Sequence, residues 1–220
     1  MILKPTQENI EAAARAITGG DLVAFPTETV YGLGADAMNP TAVAKIFEAK
    51  RRPFFDPLIV HVPEPSWLER LAADIPAGAH ALIDRFWPGP LTIVFLKKKD
   101  VPDIVTAGLA TVAVRMPSHP AAREMIRLAD TPIAAPSANP FGYLSPTRAE
   151  HVAAQLGDRV DLIVDGGRCP VGVESTVVDV TGPAPRVLRP GGLSLERLRG
   201  AAPGIEVLDR TDPAPKAPGQ

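Results

Sequence analysis

The residues able to do chemistry collect at the ends of apolar runs. Directly after the apolar stretch at 22–25 comes Pro26-Thr27-Glu28-Thr29-Val30-Tyr31-Gly32-Leu33-Gly34-Ala35-Asp36-Ala37, with hydroxyls, a carboxylate and two glycines. Ligands of open α/β sheets bind at such strand ends; the alternative is a glycine-rich turn without a ligand. Lys50-Arg51-Arg52-Pro53 closes the next helical stretch. Cations there offset the helix dipole, or they grip phosphate oxygens, which guanidinium does in pairs. His61 ends Leu58-Ile59-Val60-His61-Val62, where a lone histidine is more often packed than catalytic. In Thr111-Val112-Ala113-Val114-Arg115 a period of two puts Thr111, Ala113 and Arg115 on one face. An arginine on an apolar strand requires an anion, because a buried charge left unpaired costs about 3–5 kcal/mol. A protein carboxylate or a substrate anion would serve.

Three further segments have the same character. Ala135-Pro136-Ser137-Ala138-Asn139, continued by Gly142 and Ser145-Pro146-Thr147, is a loop of small and hydroxylated residues leading into a helix N-terminus, which favours anions. Gly172-Val173-Glu174-Ser175-Thr176-Val177-Val178-Asp179 has Ser175 opening a strand, and Arg189-Pro190-Gly191-Gly192 sets an arginine before a glycine turn. No GxSxG, Walker lysine loop, HxH, HExxH or CxxC occurs. Gly32-x-Gly34-x-x-Ala37 fits a relaxed dinucleotide fingerprint, but a polar hexapeptide separates it from the preceding strand, and the next helix waits for Asn39-Pro40. Strand ends bearing Thr, Ser, Arg and His suit electrostatic positioning of a nucleotide and a small acid better than covalent catalysis.

The elements that must position these groups alternate. Helices are expected from Thr6 to Gly19-Gly20, from Asn39-Pro40 to about Lys50, over 65–73, 77–86 and 119–129, from a Thr147-Arg148-Ala149-Glu150 capping box to about Leu156, and from Ser194. Strands are expected at 22–25, 58–62, 91–96, 111–116, 133–135, 161–165, 175–180 and 186–189. Alternation that gives way to consecutive strands indicates an α/β fold with a mixed, twisted sheet and flanking helices. Residues 1–208 form one domain, and 209–220, rich in Pro, Ala and charge, read as a linker-like tail.

Composition narrows the class. Of 220 residues, 45% are hydrophobic, enough for a core, and the net charge of −2 excludes a general cationic coat for nucleic acid. The single cysteine rules out an internal disulfide and suits a reducing cytoplasm. No secretory signal and no apolar run long enough for a membrane helix are present.

Taken in order, PTETVYGLGADA, KRRP with DPLIVHV, TVAVRMP, APSAN with SPT, VESTVVD and RPGG resemble the YrdC family, the threonylcarbamoyl-AMP synthases, over about residues 20 to 192. The resemblance implies a YrdC-like fold around a concave cleft. It implies a nucleotidyltransferase that joins L-threonine, bicarbonate and ATP, with magnesium accompanying ATP, into threonylcarbamoyl-AMP and pyrophosphate. Downstream proteins would then transfer the group to tRNA, which the enzyme itself would contact weakly. Carried over by motif, Thr29, His61, Arg115, Ala135 and Ser175 form the threonine set, with Thr27 as an alternative first hydroxyl. Lys50, Arg52, Asp56, Thr111, Ser137, Ser145 and Arg189 form the ATP set, and Asn139 shapes its loop. No protein nucleophile is implied; Lys50 and Arg52 position and neutralise charge. Two positions depart from the pattern: Asp56 stands where Asn is usual, and Pro140-Phe141-Gly142 stands where Ser-Gly usually follows. Pro215-Lys216-Ala217-Pro218-Gly219 resembles the linker to a C-terminal domain in longer members. The rival readings are a carbamoyl-adenylate domain using carbamoyl phosphate, and a non-catalytic double-stranded RNA or tRNA binding module.

Overall fold

Thr6 caps the first helix, its side chain accepting from the Asn9 amide, and Ile10, Ala13, Ala14 and Ile17 bury one stripe at helical spacing. Asn39 caps the second in the same way, with Pro40 in the first turn, where a missing N–H costs nothing. The structure, a computed structural model, describes residues 1–207. The linker-like segment expected at 209–220 lies outside them.

In chain order the elements are β1 (Ile2–Leu3), α1 (Gln7–Thr18), β2 (Val23–Phe25), β3 (Gly32–Asp36), α2 (Pro40–Lys50) and β4 (Ile59–His61). A 3-10 turn at Pro65–Trp67 runs into α3 (Leu68–Leu71), followed by α4 (Ala77–Phe86), β5 (Leu91–Leu96), α5 (Asp103–Thr106), β6 (Thr111–Arg115), α6 (Pro120–Ala129) and β7 (Ile133–Ala134). Then come α7 (Ala149–Leu156), a 3-10 turn at Gly157–Arg159, β8 (Leu162–Val164), β9 (Thr176–Asp179), β10 (Arg186–Arg189), α8 (Leu195–Ala201) and β11 (Glu206–Val207). The strands join one mixed sheet in the order β1-β8-β2-β3-β7-β4-β6-β5-β9-β10-β11. Parallel pairs such as β4 with β6 stand beside antiparallel ones such as β5 with β6. The mixed sheet with flanking helices expected from sequence is therefore present.

The structure departs from the sequence reading at the 32–36 segment, at the start of α7 and in the short elements β1, α5 and β11, which the sequence did not suggest. The segment at 32–36 is a strand, not a turn: β3 pairs antiparallel with β2, placing Gly32 opposite Phe25. Its glycines make room for neighbours. A Cβ on Gly34 would sit 2.7 Å from the Phe25 ring and 2.8 Å from Ile133 Cγ2. The capping box before α7 does not form, since Arg148 is the N-cap and makes no side-chain cap bond. The Thr147 carbonyl instead accepts from the Cys169 amide at 2.9 Å, tying that residue to the 165–173 loop. The short α5 is an extra helix.

Register gives the central strands two different faces. Val60, Val114, Ile93 and Val178 point into the main core, while Ile59, Ala113, Val94, Val177 and Leu188 form a smaller apolar cluster on the opposite face. Among the described residues no helix is long and apolar enough to cross a membrane.

Candidate functional site

The second face carries the floor of a cavity. In register, His61 lies opposite Arg115, and Arg115 opposite Thr92. Thr92 Oγ1 lies 2.7 Å from Ser175 Oγ, which extends the polar row to the start of β9. The buried cluster of Ile59, Ala113 and Val94 lies on the same face one step along. Alternation thus sets polar groups on an apolar bed.

Loops raise the walls. Thr27 Oγ1 accepts from the Thr29 and Val30 amides, each at 3.2 Å, and lies 2.9 Å from Thr29 Oγ1. It therefore folds the turn that presents Thr29. Leu33 donates to the Pro136 carbonyl and Ala138 to the Tyr31 carbonyl, so the 135–139 segment is stitched along the start of β3. Asn139 then pins the next turn, its amide donating to the carbonyls of Pro140 at 2.9 Å and Tyr143 at 2.7 Å. Gly142 takes a positive φ of 82°, which a glycine tolerates. Together with the loops at 50–56, 174–175 and 189, these segments enclose about 810 Å³ of empty space, open mouth included.

Cations dominate the wall, and each is already held from one side. Lys50 is buried, its ammonium donating to the carbonyls of Ser137 and Asn139. Burial, aided by neighbouring Arg52, pushes its pKa down to about 7, against the pull of Glu174 and Asp56. Arg52 donates to the Asp56 and Pro57 carbonyls at 3.2 and 3.0 Å and pairs with the Asp56 carboxylate at 2.7 Å. Arg189 bonds the Ser175 carbonyl at 2.9 Å and pairs with Glu174 at 2.5 Å. Arg115 pairs with Glu28 at 2.7 Å, and the other Glu28 oxygen accepts from the Ser118 amide at 2.9 Å. Burial raises the Glu28 pKa, but Arg115 and the Ser118 amide outweigh burial and hold it below the ordinary carboxylate value. Burial, then Arg115, pushes His61 down to about 3, so its ring is neutral. His61 Nδ1 is buried with no hydrogen-bond partner among the described residues, which carries a desolvation cost.

The protein carboxylate weighed from sequence as the partner of Arg115 is thus real: it is Glu28. Among the described residues Nη1 of Arg115 has no protein partner, and it belongs to a residue of the cavity wall. Arg115 is therefore engaged by the protein on one edge and available on the other.

Thr29, His61, Arg115, Ala135 and Ser175 all line this one cavity, as do Lys50, Arg52, Asp56, Ser137, Ser145 and Arg189. Thr111 does not line it. It shares a face with Arg115 but lies four residues up β6, roughly 13 Å away at strand rise. The wall also includes Tyr31, Phe141, Tyr143 and Glu174, none of which the motif carry-over selected. Tyr31 is wholly buried with its hydroxyl on the Gly167 carbonyl, and the Arg52 guanidinium lies 5.9 Å from the Phe141 ring. Glu174 stood in a recognised motif, yet its pairing with Arg189 depends on the antiparallel register of β9 and β10. Among the described residues no cluster of three or more His, Cys, Asp or Glu could hold a metal by itself. Asp56 and Glu174 are the carboxylates that line the cavity.

The family model for the Sua5/YciO/YrdC domain, described as "Telomere recombination", matches residues 15–191. A threonylcarbamoyl-AMP synthase of Pyrococcus abyssi is 55% identical over 189 residues, covering 86% of this chain and 56% of its own length. The Bacillus subtilis threonylcarbamoyl-AMP synthase is 49% identical over 99% of this chain and 64% of its own. The solved structure of P. abyssi Sua5 complexed with L-threonine matches with a TM-score of 0.97 at 48% identity, over 100% of this chain and 67% of that one. This chain spans from about half to two-thirds of the length of these relatives.

Proposed function

The chain belongs to the Sua5/YciO/YrdC family, and on that premise we propose that it makes threonylcarbamoyl-AMP and pyrophosphate from L-threonine, bicarbonate and ATP, for threonylcarbamoyladenosine modification of tRNA. One observation carries this reading. A single cavity gathers a neutral buried histidine, a half-engaged arginine and several hydroxyls beside a cluster of Lys50, Arg52 and Arg189.

The floor fits an amino acid. Arg115 Nη1 meets the carboxylate, and the His61 ring, Thr29 and Ser175 meet the hydroxyl and amine. The threonine ammonium and bicarbonate give a carbamate with loss of water and a proton. A carbamate oxygen then attacks the α-phosphorus of ATP; the bond to the β-phosphate breaks, and pyrophosphate leaves with those electrons. Lys50, Arg52 and Arg189 spread positive charge along the phosphates, and Ser137 and Ser145 hold oxygens in line. Asp56 and Glu174 would face a magnesium ion bound to the nucleotide, which would add further neutralisation of the phosphates. No covalent intermediate with the protein is needed. The acceptors of the product are proteins that transfer the group to tRNA.

Pyrophosphate release, followed with purified protein, should require threonine and bicarbonate together. Release at the same rate without threonine would end the proposal.

A further inference from the structure

We propose that Glu174 is a specificity-determining residue that makes the site favour a metal-complexed nucleoside triphosphate over the metal-free one. The inference rests on the nucleotide reading above and extends it. Glu174 bridges two groups assigned to the nucleotide: one oxygen lies 2.5 Å from Arg189 Nη1, and the other accepts from Ser145 Oγ at 3.2 Å. Those partners come from separate segments, Ser145 from the loop following β7 and Arg189 from the end of β10, so the carboxylate sits between them as a phosphate oxygen would.

The backbone beneath it has nowhere to go. The Glu174 carbonyl accepts from the Gly192 amide at 2.8 Å, and a Cβ on Gly191 would lie 2.4 Å from the same carbonyl. Only the side chain, 38% exposed, is able to move. Asp56, paired with Arg52, adds a second carboxylate to the same wall. A bare triphosphate must therefore separate a close ion pair and then lie beside like charge. A triphosphate carrying magnesium presents a cation to the displaced carboxylate, and magnesium is held by one or two carboxylates together with phosphate oxygens.

The test is calorimetric titration of the whole protein with ATP, once with magnesium and once with excess EDTA. The unaltered protein should prefer the magnesium form by about tenfold or more. Glu174→Gln, which keeps shape and loses charge, should bind metal-free ATP about tenfold more tightly than the parent and show almost no metal preference. Glu174→Ala should move the same way. A gain in affinity is something that mere damage to the fold does not produce. An unchanged metal preference in both variants overturns the inference. So does loss of both ATP forms with threonine binding intact, which would make Glu174 a structural tie. If the unaltered protein binds threonine but neither form of ATP, the nucleotide reading itself falls, and this inference with it.

Discussion

Arg115 answers to two anions, and the distinction matters for how it is tested. Glu28 and the Gly89 carbonyl fix its orientation, while the remaining edge is offered to substrate. Arg115→Lys keeps the charge but loses the planar fork. Its threonine affinity should fall by roughly ten- to a hundredfold, the loss of one charged hydrogen bond worth about 1.5–3 kcal/mol, with ATP affinity little changed in the same titration. Arg52→Ala should do the reverse, weakening ATP far more than threonine; equal losses would count against the division of the cavity. Lys50 departs most from its sequence reading. Its motif suggested a phosphate contact, yet its ammonium first holds the Ser137 and Asn139 carbonyls. Lys50→Met should therefore loosen the 137–143 loop, leaving two carbonyls short of a donor at a cost of about 1–3 kcal/mol each, seen as a lower denaturation midpoint as well as weaker nucleotide binding.

At the scale of elements, the helices were the most legible features. Thr6 and Asn39 cap where a cap was read, because capping is a local hydrogen bond. β3 was not legible, since Gly32 and Gly34 carry no strand preference of their own. They are glycines because Phe25, Ile133 and Ala135 lie against them, and those contacts come from neighbouring strands. Gly34→Ala should accordingly cost about 1–3 kcal/mol by overpacking, measured by chemical denaturation. Gly191→Ala should act differently. Its new Cβ would strike the backbone of Glu174 and Ser175, displacing Ser175 and with it Arg189, so threonine and ATP binding should both drop. The capping box before α7 failed for a related reason: Thr147 is held by the amide of Cys169, which is remote in sequence.

The whole molecule links burial of these groups to pH. His61 titrates near 3 in the fold against an ordinary 6.5. The unfolded chain thus takes a proton that the fold declines, and stability should fall as pH drops from 6.5 towards 3. Glu28, held low by Arg115, adds loss in the same direction as pH falls through its folded value. Lys50, near 7 in place of 10.5, should make stability rise between pH 7 and 10.5. Thermal melts across that range should show this rise in the parent and lose it in Lys50→Met. Ligand should also be felt globally: ATP with magnesium at about a hundred times its Kd adds about 2.7 kcal/mol. For a chain of this size that is a Tm increase of roughly 5–10 °C.

Chain-local chemistry determined which segments matter: where helices start, where apolar runs end, and that hydroxyls and cations cluster at those ends. Capping, alternation and turn preference act over a few residues, so one sequence reveals them. It did not determine the partners. That Glu28 holds Arg115, that Glu174 bridges Ser145 and Arg189, that Thr111 lies up the strand from the cavity, and that Lys50 props a loop were decided by the order of strands in the sheet and by loops separated along the chain. Charges pair through space, and only the tertiary structure fixes the distances over which they do so.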